Sequence, residues 1–491
     1  MNRPTRLAVR QFVLREIPIA ALLVFFGIAY SASLNSYGMF MWDESQYASL
    51  ARSVLRGEGF TISGIPNSVR PPILPLAGAA SMWIFGEQSD DTVLRAANCA
   101  FALVALLCVY GIAARAFDRT TGLVTAALLG IVPFFWLFVP YFMCEIPFLA
   151  FFAMAVWFFY FGAYVHQRFF VWSWIAWGLA FLTRYTAALF LPVIVLFVAM
   201  AWWLGGAEAR CRLRSRAFLL SPLAGFLIVL PWLLREFVTF GNPLAGIRHA
   251  ATQLQDYMPE ISMPWYFYLQ RLPHMLSPQI AILLAAGIAW TLWKRDRFAL
   301  HSFLTAALIL IWFSVYRYKE DRMISSALPF MALLAALPVT KMTAGLRPLA
   351  RGALLTALLA GFFVLNFRAT RPVFRSTFAV GYPVFLDAMT FLRNHASPGA
   401  MVLGANSPQI YWYSDRRAKD IPEEKDLPEA LRHSEWTVIS NFEPVQKPYV
   451  LHLLDRISVT EGPTDDAAVF SDGRTMTLVI RSDRLLRSLS P

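Results

Sequence analysis

Trp42-Asp43-Glu44-Ser45-Gln46-Tyr47-Ala48-Ser49-Leu50-Ala51-Arg52 is the stretch on which the reading of this chain turns. It comes directly after the first long apolar segment, residues 18–34. Two adjacent carboxylates, Asp43 and Glu44, therefore stand where a membrane helix has just left the bilayer. The run continues with Leu50, Val54 and Leu55 on one side and Arg52 and Arg56 on another, and Gly57-Glu58-Gly59 closes it. This spacing predicts an amphipathic helix lying in the membrane interface. An acid pair at the mouth of a helical bundle marks the working end of the molecule.

Composition places the chain in a membrane. It has 491 residues, 57% hydrophobic and only 15% charged, with a mean hydropathy of +0.51. Soluble proteins carry roughly 25% charged residues, so an ordinary soluble enzyme is excluded. Apolar stretches of about 20 residues recur, the length that crosses a hydrocarbon core of about 30 Å. The expected fold is a polytopic α-helical membrane protein. The net charge of +12 does not call for nucleic acid, because basic residues in short loops fix membrane orientation. Cys99, Cys108, Cys144 and Cys211 are scattered without metal-ligand spacing, and no structural disulfide is expected. Arg3, Arg6, Arg10 and Arg15 precede the first apolar segment and no small-residue cleavage site follows it. That segment reads as a retained helix with a cytoplasmic N-terminus.

The basic loops count the crossings. Those at 210–216, 294–297 and 341–351 all fall inside if the N-terminus is inside and about eleven helices cross. Shifting the register by one crossing would put all three outside. The first outer loop, 35–94, holds two interfacial helices, at 44–56 and 72–85. From about residue 370 turn signals appear: Ser397-Pro398-Gly399, Glu461-Gly462-Pro463 and Asp472-Gly473. They bound strand-sized runs at 401–403, 436–439 and 476–480 and helix-like pieces at 384–394, 427–432 and 449–455. A small extracytoplasmic α/β domain, 370–491, is expected after a membrane domain, 1–369.

A charge at the bilayer centre costs about 2.5–3.5 kcal/mol on insertion scales, and the spans carry almost none. Charges gather at the outer ends: Asp43, Glu44, Arg70, Glu145, Arg184, Arg235, Glu236, Arg271, Lys319, Glu320, Asp321 and Arg322. A polar cavity opening at the outer surface produces that pattern, whereas transporters hold their sites nearer the midplane. Asp43 and Glu44 are candidate general bases; the competing reading is a helix cap. Glu145, before Ile146-Pro147, is either a site acid or a helix-start acid. Arg70, before Pro71-Pro72, either binds phosphate or snorkels to headgroups. Lys319 and Arg322 flank Glu320-Asp321 as a phosphate site or as a local salt-bridge cluster. His249 and His274 read as surface histidines.

With these residues in place, the chain resembles the GT-C glycosyltransferases. More closely it resembles the dolichyl-phosphate-mannose protein mannosyltransferase superfamily, with its bacterial branch that includes the aminoarabinose transferase of lipid A. Four marks carry the resemblance: Trp42–Ala48 running on to Leu55-Arg56-Gly57-Glu58-Gly59-Phe60, Arg70-Pro71-Pro72-Ile73-Leu74, Glu145-Ile146-Pro147, and Leu182-Thr183-Arg184-Tyr185-Thr186. It covers about residues 15–200 well. It weakens at 319–329, where relatives often have Arg-Tyr and this chain has Arg322-Met323.

The resemblance implies an inverting transfer of a sugar from a polyprenyl-phosphate donor to a lipid, glycan or protein acceptor, with Asp43 as base. It implies that Arg70, Arg184, Lys319 and Arg322 hold the donor phosphate. Glu145 and Glu44 would orient the acceptor or a divalent cation (Mg or Mn), with Asp43 and Glu145 as metal ligands if there is one; the family is split on metal need. It also implies a bacterial or archaeal plasma (inner) membrane setting and no nucleotide sugar. Three other readings stand beside it. A transporter or flippase of a lipid-linked substrate predicts mid-span charges and repeat symmetry. A non-catalytic assembly subunit makes Asp43 dispensable. A glycan ligase or polymerase predicts an arginine-dominated site without an acid pair in the first loop.

Overall fold

The computed structural model describes residues 3–34, 41–87, 91–256, 262–377, 382–441, 449–450 and 464–489; for 3–14, 204, 253–256, 369–377 and 382 it describes the backbone alone. The chain divides into two compact units. One comprises Met1–Ser33, Ser68–Leu74 and Ala96–Arg371, the other Leu34–Asn67, Pro75–Arg95 and Pro372–Pro491. The linear division expected from composition kept the first loop with the spans, whereas most of this loop falls in the unit that holds the C-terminal residues.

The first unit is a helical bundle, the form in which an apolar chain satisfies its backbone groups without water. Seven helices among the described residues are long and apolar enough to cross a membrane: Thr92–Ala116, Glu145–Tyr164, Tyr185–Trp203, Arg216–Phe240, Arg297–Ser314, Asp321–Met342 and Pro348–Arg368. An eighth forms if Phe267–Leu276 and Pro278–Lys294, bent by 115°, count as one span. This is fewer than the count of about eleven expected from the basic loops. Of the three remaining expected crossings, all helical, the third and fifth fall short as spans. Arg119–Ile131 stops before Pro133, which starts a separate helix, Pro133–Phe138. Arg168–Phe181 has only 14 residues. Helix Arg3–Ser31 has side chains described from residue 15 onward.

The Glu145–Tyr164 and Asp321–Met342 segments form the interior of this unit, and an 18-residue stretch of the latter is wholly buried. Small residues allow close helix approach in the absence of a hydrophobic drive between helices. A Cβ on Gly287 would meet the Leu334 carbonyl oxygen at 1.9 Å, so this crossing requires glycine.

In the second unit a five-stranded sheet runs in the order Arg417–Lys419, Met401–Gly404, Trp436–Ser440, Met476–Arg481, Ala467–Ser471. The first three strands are parallel and the last two join antiparallel. The three expected strands are all present, and Trp436–Ser440, buried at every position, is the central one. The edge strands Arg417–Lys419 and Ala467–Ser471 escape a hydropathy reading; the first is three residues with charges at both ends, as sheet edges often are. The expected helices at 384–394 and 427–432 correspond to Tyr382–His395 and Leu427–Arg432. Apart from residues 449–450, the piece expected at 449–455 lies outside the described residues, as does the turn at 461–463. All four cysteines are free thiols.

Candidate active site

In the second unit the Asp43 helix runs from Trp42 to Leu55, after Met41 in extended conformation. Glu44 is the third helical residue and is fully buried. Its Oε2 accepts the Met41 N–H at 2.8 Å, the return arm of a capping box. The capping role therefore falls to Glu44 and not to Asp43, and burial removes Glu44 from the solvent-facing candidates. Asp43, half-buried in the first turn, sits where the helix dipole favours a negative charge.

The amphipathic helix expected here has a protein partner on its polar side. Its polar side is buried: Ser45, Ser49 and Ser53, four residues apart, present a face without bulk, and Arg52 is 3% exposed. The face packs against the helix Ser407–Ser414 of the C-terminal region. The Arg52 guanidinium lies 3.8 Å from the centre of the Trp412 ring, and its Nη1 donates to the Trp412 carbonyl at 2.8 Å. Its Nε is 3.2 Å from Glu87 Oε1, an ion pair whose angle falls short of a hydrogen bond. Burial lowers the Arg52 pKa from its ordinary value, opposed by Asp415 and Glu87. Arg56 pairs with Asp415 at 2.8 Å and Glu87 at 2.6 Å.

The other end of the helix is also held. With the Gln409 amide turned so that its nitrogen donates to the Asn406 carbonyl at 3.2 Å, its oxygen accepts the Trp42 N–H at 3.1 Å. Trp412 Nε1 donates to Asp91 at 2.9 Å, and the Ala418 N–H donates to Ser63 Oγ at 3.1 Å. The C-terminal domain is thus a splint for the helix that carries Asp43. The hydropathy pattern hid this, because a serine face reads as solvated until its partner is known.

In the first unit Glu145 opens the Glu145–Tyr164 helix and is nearly fully buried. Arg184 Nη1 donates to Glu145 Oε1 at 3.1 Å, so two separate marks of the sequence meet in one ion pair. Arg184 follows the helix Arg168–Phe181 in extended conformation. The segment bearing Arg70 is stitched alongside it. Tyr185 Oη donates to the Ser68 carbonyl at 2.8 Å and the Ile73 N–H to the Leu182 carbonyl at 3.0 Å. Arg70 lies between those two ties, so two guanidinium-bearing segments adjoin.

The Lys319–Arg322 loop forms a local salt-bridge cluster. Arg322 pairs with Glu320, and Arg271 grips Asp321 through Nε at 3.1 Å and Nη2 at 2.6 Å. Lys319 is 3% exposed, and its Nζ donates to the carbonyls of Tyr316 and, at 2.9 Å, Met263. Burial lowers its pKa from the ordinary value. Lys319 is thus a loop anchor, and Arg271, from the helix Phe267–Leu276, is a further cation against this loop, counted in the sequence among the outer-end charges but given no role there. Tyr268 also emerges from tertiary structure. Its hydroxyl donates to the Glu320 carbonyl at 3.3 Å, and it lies within electrostatic range of Asp321 and Arg184. That places the loop and the Glu145–Arg184 pair in one neighbourhood. Among the described residues no group of three or more His, Cys, Asp or Glu has the geometry to hold a metal ion.

Comparison with known proteins places this geometry. The family model for dolichyl-phosphate-mannose-protein mannosyltransferase matches residues 69–234, a segment that contains Arg70, Glu145 and Arg184. An undecaprenyl phosphate-alpha-4-amino-4-deoxy-L-arabinose arabinosyl transferase 2 of Pseudomonas fluorescens is 26% identical over 433 residues, 81% of this chain and 69% of its own length. A Pseudomonas aeruginosa transferase of the same kind is 27% identical over 65% of this chain; the match spans 59% of that relative. ArnT of Cupriavidus metallidurans, solved with undecaprenyl phosphate, superposes with a TM-score of 0.67 at 16% identity, over 94% of this chain and 97% of its own. The archaeal oligosaccharyltransferase AglB of Archaeoglobus fulgidus, solved with an inhibitory peptide and a dolichol-phosphate, gives 0.55 at 14% identity over 86% of this chain and 69% of its own. The chain therefore has the GT-C fold and is similar to the glycosyltransferase superfamily that contains the protein mannosyltransferases and the aminoarabinose transferases.

Proposed function

We propose that this membrane enzyme transfers a sugar from a polyprenyl-phosphate donor to a lipid, glycan or protein acceptor, on the extracytoplasmic side of the bacterial inner membrane and with inversion at the anomeric carbon. The arabinosyl transferases among its relatives make a pentose or aminopentose donor the first choice. The observation that carries the reading is the pairing of Glu145 with Arg184 on a segment stitched to that of Arg70. A phosphate leaving group needs charge-assisted donors fixed before it arrives, and this assembly fixes two guanidinium-bearing segments. Orientation follows the basic loops, with the N-terminus cytoplasmic and the C-terminal domain outside.

In the proposed step the acceptor oxygen bonds to the anomeric carbon as the bond from that carbon to the phosphate oxygen breaks. The acceptor proton passes to Asp43 and the electron pair leaves with the polyprenyl phosphate. Arg184 and Arg70 bind that phosphate, while Lys319 and Arg322 hold the neighbouring loop. Glu145 keeps Arg184 oriented. Glu145, one of the two acids that would hold a divalent cation, is paired with Arg184.

Asp43→Asn removes the base and leaves the helix cap on Glu44 intact. Transfer from polyprenyl-phosphate sugars in vesicles is expected to fall about 10²–10⁴-fold with membrane insertion unchanged; full transfer by the variant would overturn the assignment. Mass spectrometry of envelope lipids, glycans and proteins with and without the gene identifies sugar and acceptor.

A further inference from the structure

The end of the Glu145–Tyr164 helix far from Glu145 carries a feature that sugar transfer does not use. Cys108, Gly111 and Ile112 of the Thr92–Ala116 helix face Met154, Phe158 and Phe161 across a groove of about 210 Å³. Phe161 is some 24 Å along the helix from Glu145 at 1.5 Å per residue. The groove is apolar, and smaller than the roughly 300–1,000 Å³ of a pocket for a whole compact ligand. Phe169 closes one end, with its ring 5.8 Å from that of Phe158 and 5.6 Å from that of Phe161.

Two guanidiniums share the Phe169 ring. Arg115 lies 5.4 Å and Arg168 5.5 Å from its centre. Both are exposed, and among the described residues neither guanidinium has a carboxylate partner. Arg119 and Arg212, by contrast, pair with Glu16 at 2.9 Å and with Glu208. Two uncompensated cations at the mouth of an apolar groove, at the end of membrane-spanning helices, match a phosphate headgroup with an acyl chain behind it.

We propose that this groove is a binding site for an anionic glycerophospholipid of the phosphatidylglycerol class. An acyl segment lies against Gly111, Met154 and Phe158, and the phosphate lies between Arg115 and Arg168. In the orientation proposed above the site faces the cytoplasmic leaflet, remote from the chemistry at Glu145.

The test is native mass spectrometry of the full-length protein in detergent, titrated separately with phosphatidylglycerol, phosphatidylcholine of the same chains, and undecaprenyl phosphate. Phosphatidylglycerol is expected to bind preferentially, with about fivefold of the preference lost per guanidinium removed in Arg115→Gln and Arg168→Gln. Gly111→Leu supplies a second variant: a Cβ there meets nothing within 4 Å, so the fold accepts it while the side chain fills the groove, and phosphatidylglycerol adducts should fall with both arginines present. Equal binding of the two phospholipids, undiminished phosphatidylglycerol binding in the double Gln variant, or undecaprenyl phosphate as the preferred arginine-dependent ligand would each overturn the proposal.

Discussion

Arg52→Met tests the splint directly. The substitution keeps an apolar stem but deletes the guanidinium that lies over Trp412 and donates to its carbonyl. A desolvated cation–π contact contributes about 2 kcal/mol and a charged hydrogen bond about 1.5–3 kcal/mol. The ion pairs add little, because Glu87 and Asp415 are 29% and 40% exposed and regain water when the arginine goes. The expected loss is about 3–5 kcal/mol, a large part of the 5–15 kcal/mol that holds a typical domain. The assay is thermal unfolding of the full chain in detergent, paired with single-turnover transfer. The second unit should melt earlier, and turnover should fall more than donor binding, since the residue acts on the placement of Asp43. Arg52→Lys, which restores charge without the planar fork, should recover part of both. Unchanged melting and turnover in Arg52→Met would refute the view that the C-terminal domain positions the Asp43 helix.

Two further outcomes follow from the first unit. Arg184→Met should raise the KM for the polyprenyl-phosphate donor by about tenfold or more, the effect of one charge-assisted contact; Glu145→Gln should do so less, because Arg184 remains but loses its anchor. Steady-state titration of donor against both variants checks the order. Lys319 gives a pH signature. Burial lowers its folded pKa below the ordinary 10.5, so between those two values the unfolded chain binds more protons than the native one. Stability should therefore rise with pH in that alkaline window and be flat below it. Melting of wild type and Lys319→Met across this range should show the slope in the first and not in the second.

Much of the architecture was legible because its physics is local. Apolar runs the length of a bilayer, basic loops and a late change in composition are properties of consecutive residues. They led to a helical membrane protein with a small α/β domain. The number of spans was less legible, since Pro133 ends one helix early and Arg168–Phe181 is short. Glu145 and Arg184 were legible as separate marks, but their ion pair was not, because 39 residues separate them.

The sequence by itself determined that Asp43 and Glu44 follow the first membrane segment, because that order is covalent and the hydrophobic effect acts on each segment alone. Only tertiary structure decided how each acid is placed. Glu44 is buried as a helix cap through its bond to Met41, and Asp43 remains half-buried beside it. The partner that buries the serine face of their helix lies some 360 residues downstream in the chain. No local pattern encodes a contact at that separation, and burial is what turns a polar face into a packed interface.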